Sequence, residues 1–187
     1  MSMRRKSHQQ KRLHARRKQQ RIYLAPCWNR GSAKQETAKM QTTQEKTHGE
    51  ALAAMLGIDV EEITESKWDT YGLRTFEANG GEYAIGTDEE CDKAAAQNIR
   101  ESVWAFQGWF IADHSPEGLT GENIDALRGD SCENANAALI ALIEAGSGMA
   151  DFIDAAISAD GRGHFLAGYD GHELESDCGN VFAYRIN

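Results

Sequence analysis

The sequence predicts an α+β fold. A small antiparallel sheet comes from two β-hairpins, at about 71–86 and 164–186, with about five helices packed on it. Three observations point there. Asn79-Gly80 stands between two runs rich in β-formers, a strong short-range hairpin signal. Thr47 with Glu50, and Thr87 with Glu90, fit the Thr-x-x-Glu capping box that opens a helix. Apolar residues after each box, and again over 133–159, recur at helical spacing, with no βαβ alternation and no internal repeat.

In the first helix the Thr47 hydroxyl accepts an N3 amide and Glu50 reaches back. Leu52, Met55 and Leu56 share one side, and Gly57 is a natural C′ residue. An acidic stretch over 59–65 then leads into Trp68. Residues 71–77 and 82–86 form the first hairpin. With Asn79-Gly80 as its loop, Phe76 faces Tyr83, a favourable cross-strand pair. The same register sets Glu77 against Glu82, which is unfavourable and leaves a longer loop open.

The helix opened by Thr87 places Asp88, Glu89 and Glu90 in its first turn, where the helix dipole favours negative charge. Its buried stripe is Cys91, Ala95, Ile99, Val103 and Phe106. Residues 103–111, VWAFQGWFI, are apolar on nearly every face and are expected to be core rather than an aromatic partner surface. Short helices follow near 121–128 and 133–145, the second with Ala135, Leu139, Leu142 and Ile143 inward and a stop at Gly146. The next, over 149–159, buries Met149, Phe152, Ile153, Ala156 and Ile157, turns Asp151 and Asp154 to solvent, and ends at Asp160-Gly161. Residues 164–169 and 181–186 read as the last two strands, joined by a polar loop.

Of the 187 residues, 47–187 suffice for one domain with a real core, and 1–46 form a basic arm with no apolar stripe, expected to be disordered. No stretch approaches the roughly 18 apolar residues that span a bilayer, so no membrane partner is expected. Residues 22–28 are apolar but interrupted by Pro26, too short for a signal peptide core. Cys27, Cys91, Cys132 and Cys178 are scattered without a CxxC pair, which suits reduced thiols in a cytosol.

Charge is sharply divided. Eleven Lys and Arg residues lie between Arg4 and Lys34, all ahead of the first acidic residue, Glu36. Nine basic and twenty-nine acidic residues follow. Three readings of the arm stay open. Arg4, Arg5, Lys6, Lys11, Arg12, Arg16, Arg17, Lys18 and Arg21 suit an arginine-rich segment that neutralises phosphates on nucleic acid. The same residues suit a solvated tail. Alternatively, residues 1–39 are translated leader and Met40 is the start. Gln35-Glu36, encodable as CAGGAG, lies three codons ahead of it and would supply a ribosome-binding sequence. From Met40 onward, eight basic and twenty-eight acidic residues give a formal charge of −20.

No catalytic motif accompanies this charge split. The densest polar group is C-terminal, and its ligand-binding candidates are Arg162, His164, Asp170, His172, Glu173 and Cys178. His164, Asp170, His172 and Cys178 are suitable metal ligands by type, but their spacing matches no zinc signature, so neither metal nor cofactor is expected. Cys178 or Ser176 with a histidine base would make a nucleophilic pair only if the fold brought them together. Arg162 and His164, in Asp160-Gly161-Arg162-Gly163-His164, suit an anion contact in a flexible turn, although an Arg paired with nearby Asp is the ordinary alternative. The P-loop and GxGxxG patterns are both missing from the sequence.

The pieces GGEYAIGTDEE (80–90), ESVWAF (101–106) and DGRGHFLAGYDGHE (160–173), with the terminal FAYRIN, resemble a family of small uncharacterised proteins encoded by tailed bacteriophages. The likeness covers roughly residues 68–187 and excludes the arm. It implies a phage or prophage accessory protein acting in a bacterial cytosol, carries no activity onto any position, and favours the leader reading.

The function expected first is therefore non-catalytic. An acidic domain would bind a protein partner with a basic surface, such as the nucleic-acid-binding face of a host or phage protein. Small-ligand binding or hydrolysis at the C-terminal hairpin is a second expectation. Nucleic-acid binding through the arm, if the arm is native, is a third.

Overall fold

The computed structural model describes residues 48–187 apart from Cys178. The nucleic-acid arm candidates Arg4 to Arg21, the Met40 start and Thr47 of the first capping box lie outside the described residues. Helix α1 is described over 48–56 and ends at Gly57 (φ 68°), where Ile58 N–H donates to the Ala53 carbonyl in a C-terminal cap. Strands β1 (Thr64–Thr70), β2 (Leu73–Ala78) and β3 (Gly81–Thr87) form a meander. Helices α2 (Asp88–Glu101), α3 (Gly108–Asp113), α4 (Gly121–Arg128), α5 (Asn136–Ala145), α6 (Met149–Asp160) and α7 (Arg162–Leu166) follow, then β4 (Glu173–Glu175) and β5 (Val181–Arg185). Short 3₁₀ turns at Val103–Ala105 and Gly129–Ala135 lead into α3 and α5.

All five strands pair antiparallel in the order β1-β2-β3-β5-β4, so the chain is α+β. The β2–β3 turn is the two-residue Asn79-Gly80 loop, with φ of 49° and 71°. Positive φ at both positions is the type I′ geometry whose twist matches the strands. Phe76 pairs with Tyr83, and Glu77 does sit opposite Glu82. The repulsion is tolerated because Glu77 is exposed and Glu82 only half-buried.

Alternation along the strands sorts the core into two faces. Phe76, Ala78, Tyr83, Ile85 and Ala183 meet Leu52 of α1 on one side. Leu73, Ala84, Phe182 and Tyr184 meet Cys91, Ala94 and Ala95 of α2, with Leu166 and Ala167, on the other. The helices make a further core of Ile99, Val103, Ile111, Ile124, Leu139, Ile143, Met149, Phe152 and Ala156. The capping box at Thr87 forms as expected: its Oγ1 accepts from Glu90 N–H, and Glu90 Oε2 accepts from Thr87 N–H at 2.8 Å.

The sheet differs from expectation at both ends. Residues 64–70 form an edge strand, β1, that the acidic stretch concealed. Residues 164–166 belong to helix α7 rather than a strand, and β5 pairs instead with Glu173–Glu175 from the expected loop. The cause is tertiary. A Cβ on Gly163 would fall against the Gly171 carbonyl, so this glycine lets α7 pack on the 170–172 turn. The apolar run 103–111 is also split. Val103 and Ile111 are buried, Trp104, Phe106 and Phe110 are half-buried, and Trp109 is 61% exposed.

His48 near the start of α1 is buried, and its Nδ1 has no hydrogen-bond partner among the described residues. Burial lowers its pKa below the ordinary 6.5, and Arg74 adds to that, while Glu90 opposes it. The unfolded chain thus takes up a proton first, so stability is expected to fall as pH drops below about 6.5. His48→Gln should flatten urea-unfolding midpoints between pH 7 and 5; an unchanged slope would show that His48 does not drive it.

Candidate functional site

Arg162 heads α7, and its side chain is only 12% exposed. Nε donates to Glu173 Oε2 at 2.9 Å and Nη2 to Glu173 Oε1 at 3.2 Å, a bidentate fork. Nη1 donates to Asp88 Oδ1 at 2.7 Å and Asp92 Oδ1 at 3.1 Å, both in the first turns of α2. The guanidinium also lies over the Phe182 ring, 4.4 Å from its centroid. Burial works against the charge, but the bonds to Glu173 and Asp88 outweigh it and hold Arg162 firmly protonated.

Beneath this group Tyr184, fully buried, donates its hydroxyl to Glu173 Oε2 at 2.5 Å. Burial and the bonds to Glu173 and Cys91 push the phenol pKa upward. The Cys91 thiol is raised to about 11, chiefly by burial, with the Tyr184 bond pulling the other way. Arg162 is thus the centre of a closed ion-pair group that joins α2, α7 and β4. Its donors already face carboxylates, though those of Glu173 and of the distant Asp88 and Asp92 rather than a nearby turn Asp, which leaves little for an incoming anion.

Both proton-holding groups predict alkaline behaviour. The folded protein keeps the Cys91 proton from pH 9.0 to about 11, where the unfolded chain releases it, so stability is expected to fall as pH rises through that window. Tyr184 acts in the same direction above its ordinary 10. At pH 8 iodoacetamide should label exposed Cys132 and spare Cys91 until urea is added. Peptide mass mapping reads this directly, and rapid Cys91 labelling of folded protein would refute its protected state.

The remaining candidates separate. Asp170 Oδ1 accepts from His172 N–H at 2.9 Å, a local turn, and both residues are exposed. Cys178 lies outside the described residues. His164 is exposed on α7, edge-on to Phe165 with centroids 5.0 Å apart. It borders a cavity of about 410 Å³ away from the Arg162 group's carboxylates, together with Asn98, Phe106, Gln107, Asp160 and Phe165. Arg162 and Glu173 therefore meet, while His164, Asp170 and His172 do not join them. Among the described residues no group of three or more His, Cys, Asp or Glu side chains is placed to hold a metal ion. No described helix is long and apolar enough to cross a membrane.

Ring packing and hydrogen bonds hold the cavity floor. Phe106 stacks near-parallel on Phe165 (6.1 Å, 23°) and packs edge-on against Phe152 (5.0 Å). Arg128 Nη1 donates to the Trp104 and Phe106 carbonyls, both at 2.9 Å, and Asn136 accepts from Trp104 N–H at 3.0 Å. Sequence reasoning missed this site. Asp160 and Phe106 had served only as a helix stop and a core residue, and no spacing rule links 98–107 to 160–165.

Among the described residues carboxylates dominate the exterior. Of the Lys and Arg residues within 48–187 (Lys67, Arg74, Lys93, Arg100, Arg128, Arg162 and Arg185), five pair with carboxylates: Arg74 with Glu65, Lys93 with Glu89, Arg100 with Glu144, Arg128 with Asp125, and Arg162 with its three. Arg185 lies over the Tyr169 ring at 3.9 Å. Every described carboxylate is exposed or half-buried. Comparison with family models, with curated proteins and with solved structures gives no match.

Proposed function

We propose that this chain is a non-catalytic accessory protein of the phage type, acting in a bacterial cytosol by binding a protein with a basic surface. The nucleic-acid-binding face of a host or phage protein is the partner chemistry that fits. The observation carrying this reading is the dominance of carboxylates on the described exterior. Five of the seven described cations pair with carboxylates of the same chain, and the carboxylates left over face solvent, which attracts a basic surface at long range and speeds encounter. The dispersal of His164, Asp170 and His172 favours binding over hydrolysis, because catalysis needs its acid, base and nucleophile within hydrogen-bond reach.

Immobilised full-length chain tests this in bacterial lysate. A DNA-binding protein should be retained at low salt and released at about 0.5 M salt, where charges are screened within roughly 4–5 Å. The purified partner should then lose its DNA in a gel shift when the chain is added. Recovery of no basic protein at low salt, or an unaffected gel shift, sinks the reading.

A further inference from the structure

We infer that the cavity between the C-terminal ends of α2 and α6 is a guanidinium site, built to take one arginine side chain from the basic partner. It rests on the function proposed above and narrows it to a residue type.

Electrostatics set the sign of the ligand. Asp160 is the last residue of α6 and is exposed, and its carboxylate has no hydrogen bond or ion pair among the described residues. A helix C-terminus carries about half a negative charge, so a carboxylate there is unfavourable unless a cation answers it. The last turn of α6 holds no basic residue. The C-terminal end of α2 reaches the same cavity through Asn98 and Ser102. Its one basic residue, Arg100, points instead to Glu144 on α5, at 3.8 Å. The ends of α2 and α6 and the Asp160 carboxylate thus meet at a cavity with no Lys or Arg in its lining; His164 of α7 is the one basic side chain there, and Ser102 caps the last α2 carbonyls. Phosphates and carboxylates are repelled there, and a cation relieves the conflict.

Shape and hydrogen bonding choose among cations. Phe106 and Phe165 both line the cavity; Phe106 already stacks with Phe110 and with Phe165, so Phe165 is the aromatic wall on which a flat ion would stack. The Asn98 and Gln107 side-chain oxygens and the Asp160 carboxylate are acceptors for the five N–H groups of a guanidinium. An ammonium has no plane to stack and fewer donors. The volume, about 410 Å³, accommodates a long side chain with water. The molecule binds its own arginines by the same chemistry: Arg162 lies over Phe182 beside Glu173, and Arg185 lies over Tyr169.

The test titrates isotope-labelled full-length chain with two blocked tripeptides, acetyl-Gly-Arg-Gly-amide and acetyl-Gly-Lys-Gly-amide, followed by NMR. The Arg peptide should shift the Phe165, His164 and Asp160 signals and bind at least about fivefold more tightly than the Lys peptide. The ratio is the readout, so competition from the chain's own arginines cancels. Asp160→Asn, at an exposed position, should abolish most of that preference with the spectrum otherwise intact. Phe165→Leu should do the same if it folds, and Asp160→Asn decides the matter if it does not. Equal binding of the two peptides, or a preference untouched by Asp160→Asn, overturns the assignment. Capture of the basic partner by wild-type chain would then still stand on general charge. Conversely, arginine selectivity without any partner capture would fail the broader function alone.

Discussion

Arg162→Met is expected to destabilise the fold by roughly 2–4 kcal/mol. Breaking a buried pair from one side typically costs about 3–5 kcal/mol, because the partner charge is left uncompensated. The figure is reduced here because Asp88 and Asp92 are 69% and 60% exposed, where water replaces most of the lost attraction. Glu173, 29% exposed and hydrogen-bonded to buried Tyr184, carries most of the loss. Methionine keeps apolar contact with Phe182, so the measured change reports charge and hydrogen bonding. The midpoint of urea unfolding should move with an unchanged denaturant slope. Asp92→Asn should cost only a few tenths of a kcal/mol. A near-neutral Arg162→Met would show that the group is solvated in solution.

Phe152→Ala is expected to cost about 3–5 kcal/mol. The ring is fully buried and touches the edges or faces of Phe106, Phe110 and His114, with centroids 5.0 to 5.3 Å away. Its removal leaves a void that these rings cannot close without moving. The loss is large against the roughly 5–15 kcal/mol that holds a domain folded. Because Phe106 rests on Phe152, the variant should also loosen the cavity floor and lower the arginine preference even under conditions where it stays folded. Calorimetry gives the first effect and the tripeptide titration the second. A loss under about 1 kcal/mol would mean that the site collapses freely.

Much of the fold was legible because it is written locally. The capping box at Thr87 and the Asn79-Gly80 turn rest on contacts between residues two or three apart, and both form. The helix stops at Gly57 and Gly161 need only a residue that adopts positive φ, 68° and 78°. Strand β1 was not legible. Its residues TESKWDT are nearly all exposed, so no apolar alternation marks it, and it exists by hydrogen-bonding to β2. Helix α7 was misread because Phe165, Leu166 and Ala167 are consecutive apolar residues, which fit a short strand or a helix equally well.

The candidate site divides in the same way. Arg162 and Glu173 stood out as charged residues in a glycine-rich segment, and they do meet. Asp88 lies 74 positions from Arg162, and Tyr184 is on β5, so neither could be assigned to the group from spacing. Reading Asp88 as a helix-dipole residue was correct and incomplete: the same carboxylate also receives Arg162.

By itself the sequence determined the helix capped at Thr87, the Asn79-Gly80 hairpin and the excess of carboxylates, because each depends on composition or on neighbours within one turn of chain. The tertiary structure alone decided which carboxylates close around Arg162, that 164–166 is helix and 173–175 strand, and that Asp160 meets Phe106 and Phe165 at a shared cavity. Those outcomes require distant segments to return to one another. Their energy lies in burial and charge pairing across the fold, which no local pattern encodes.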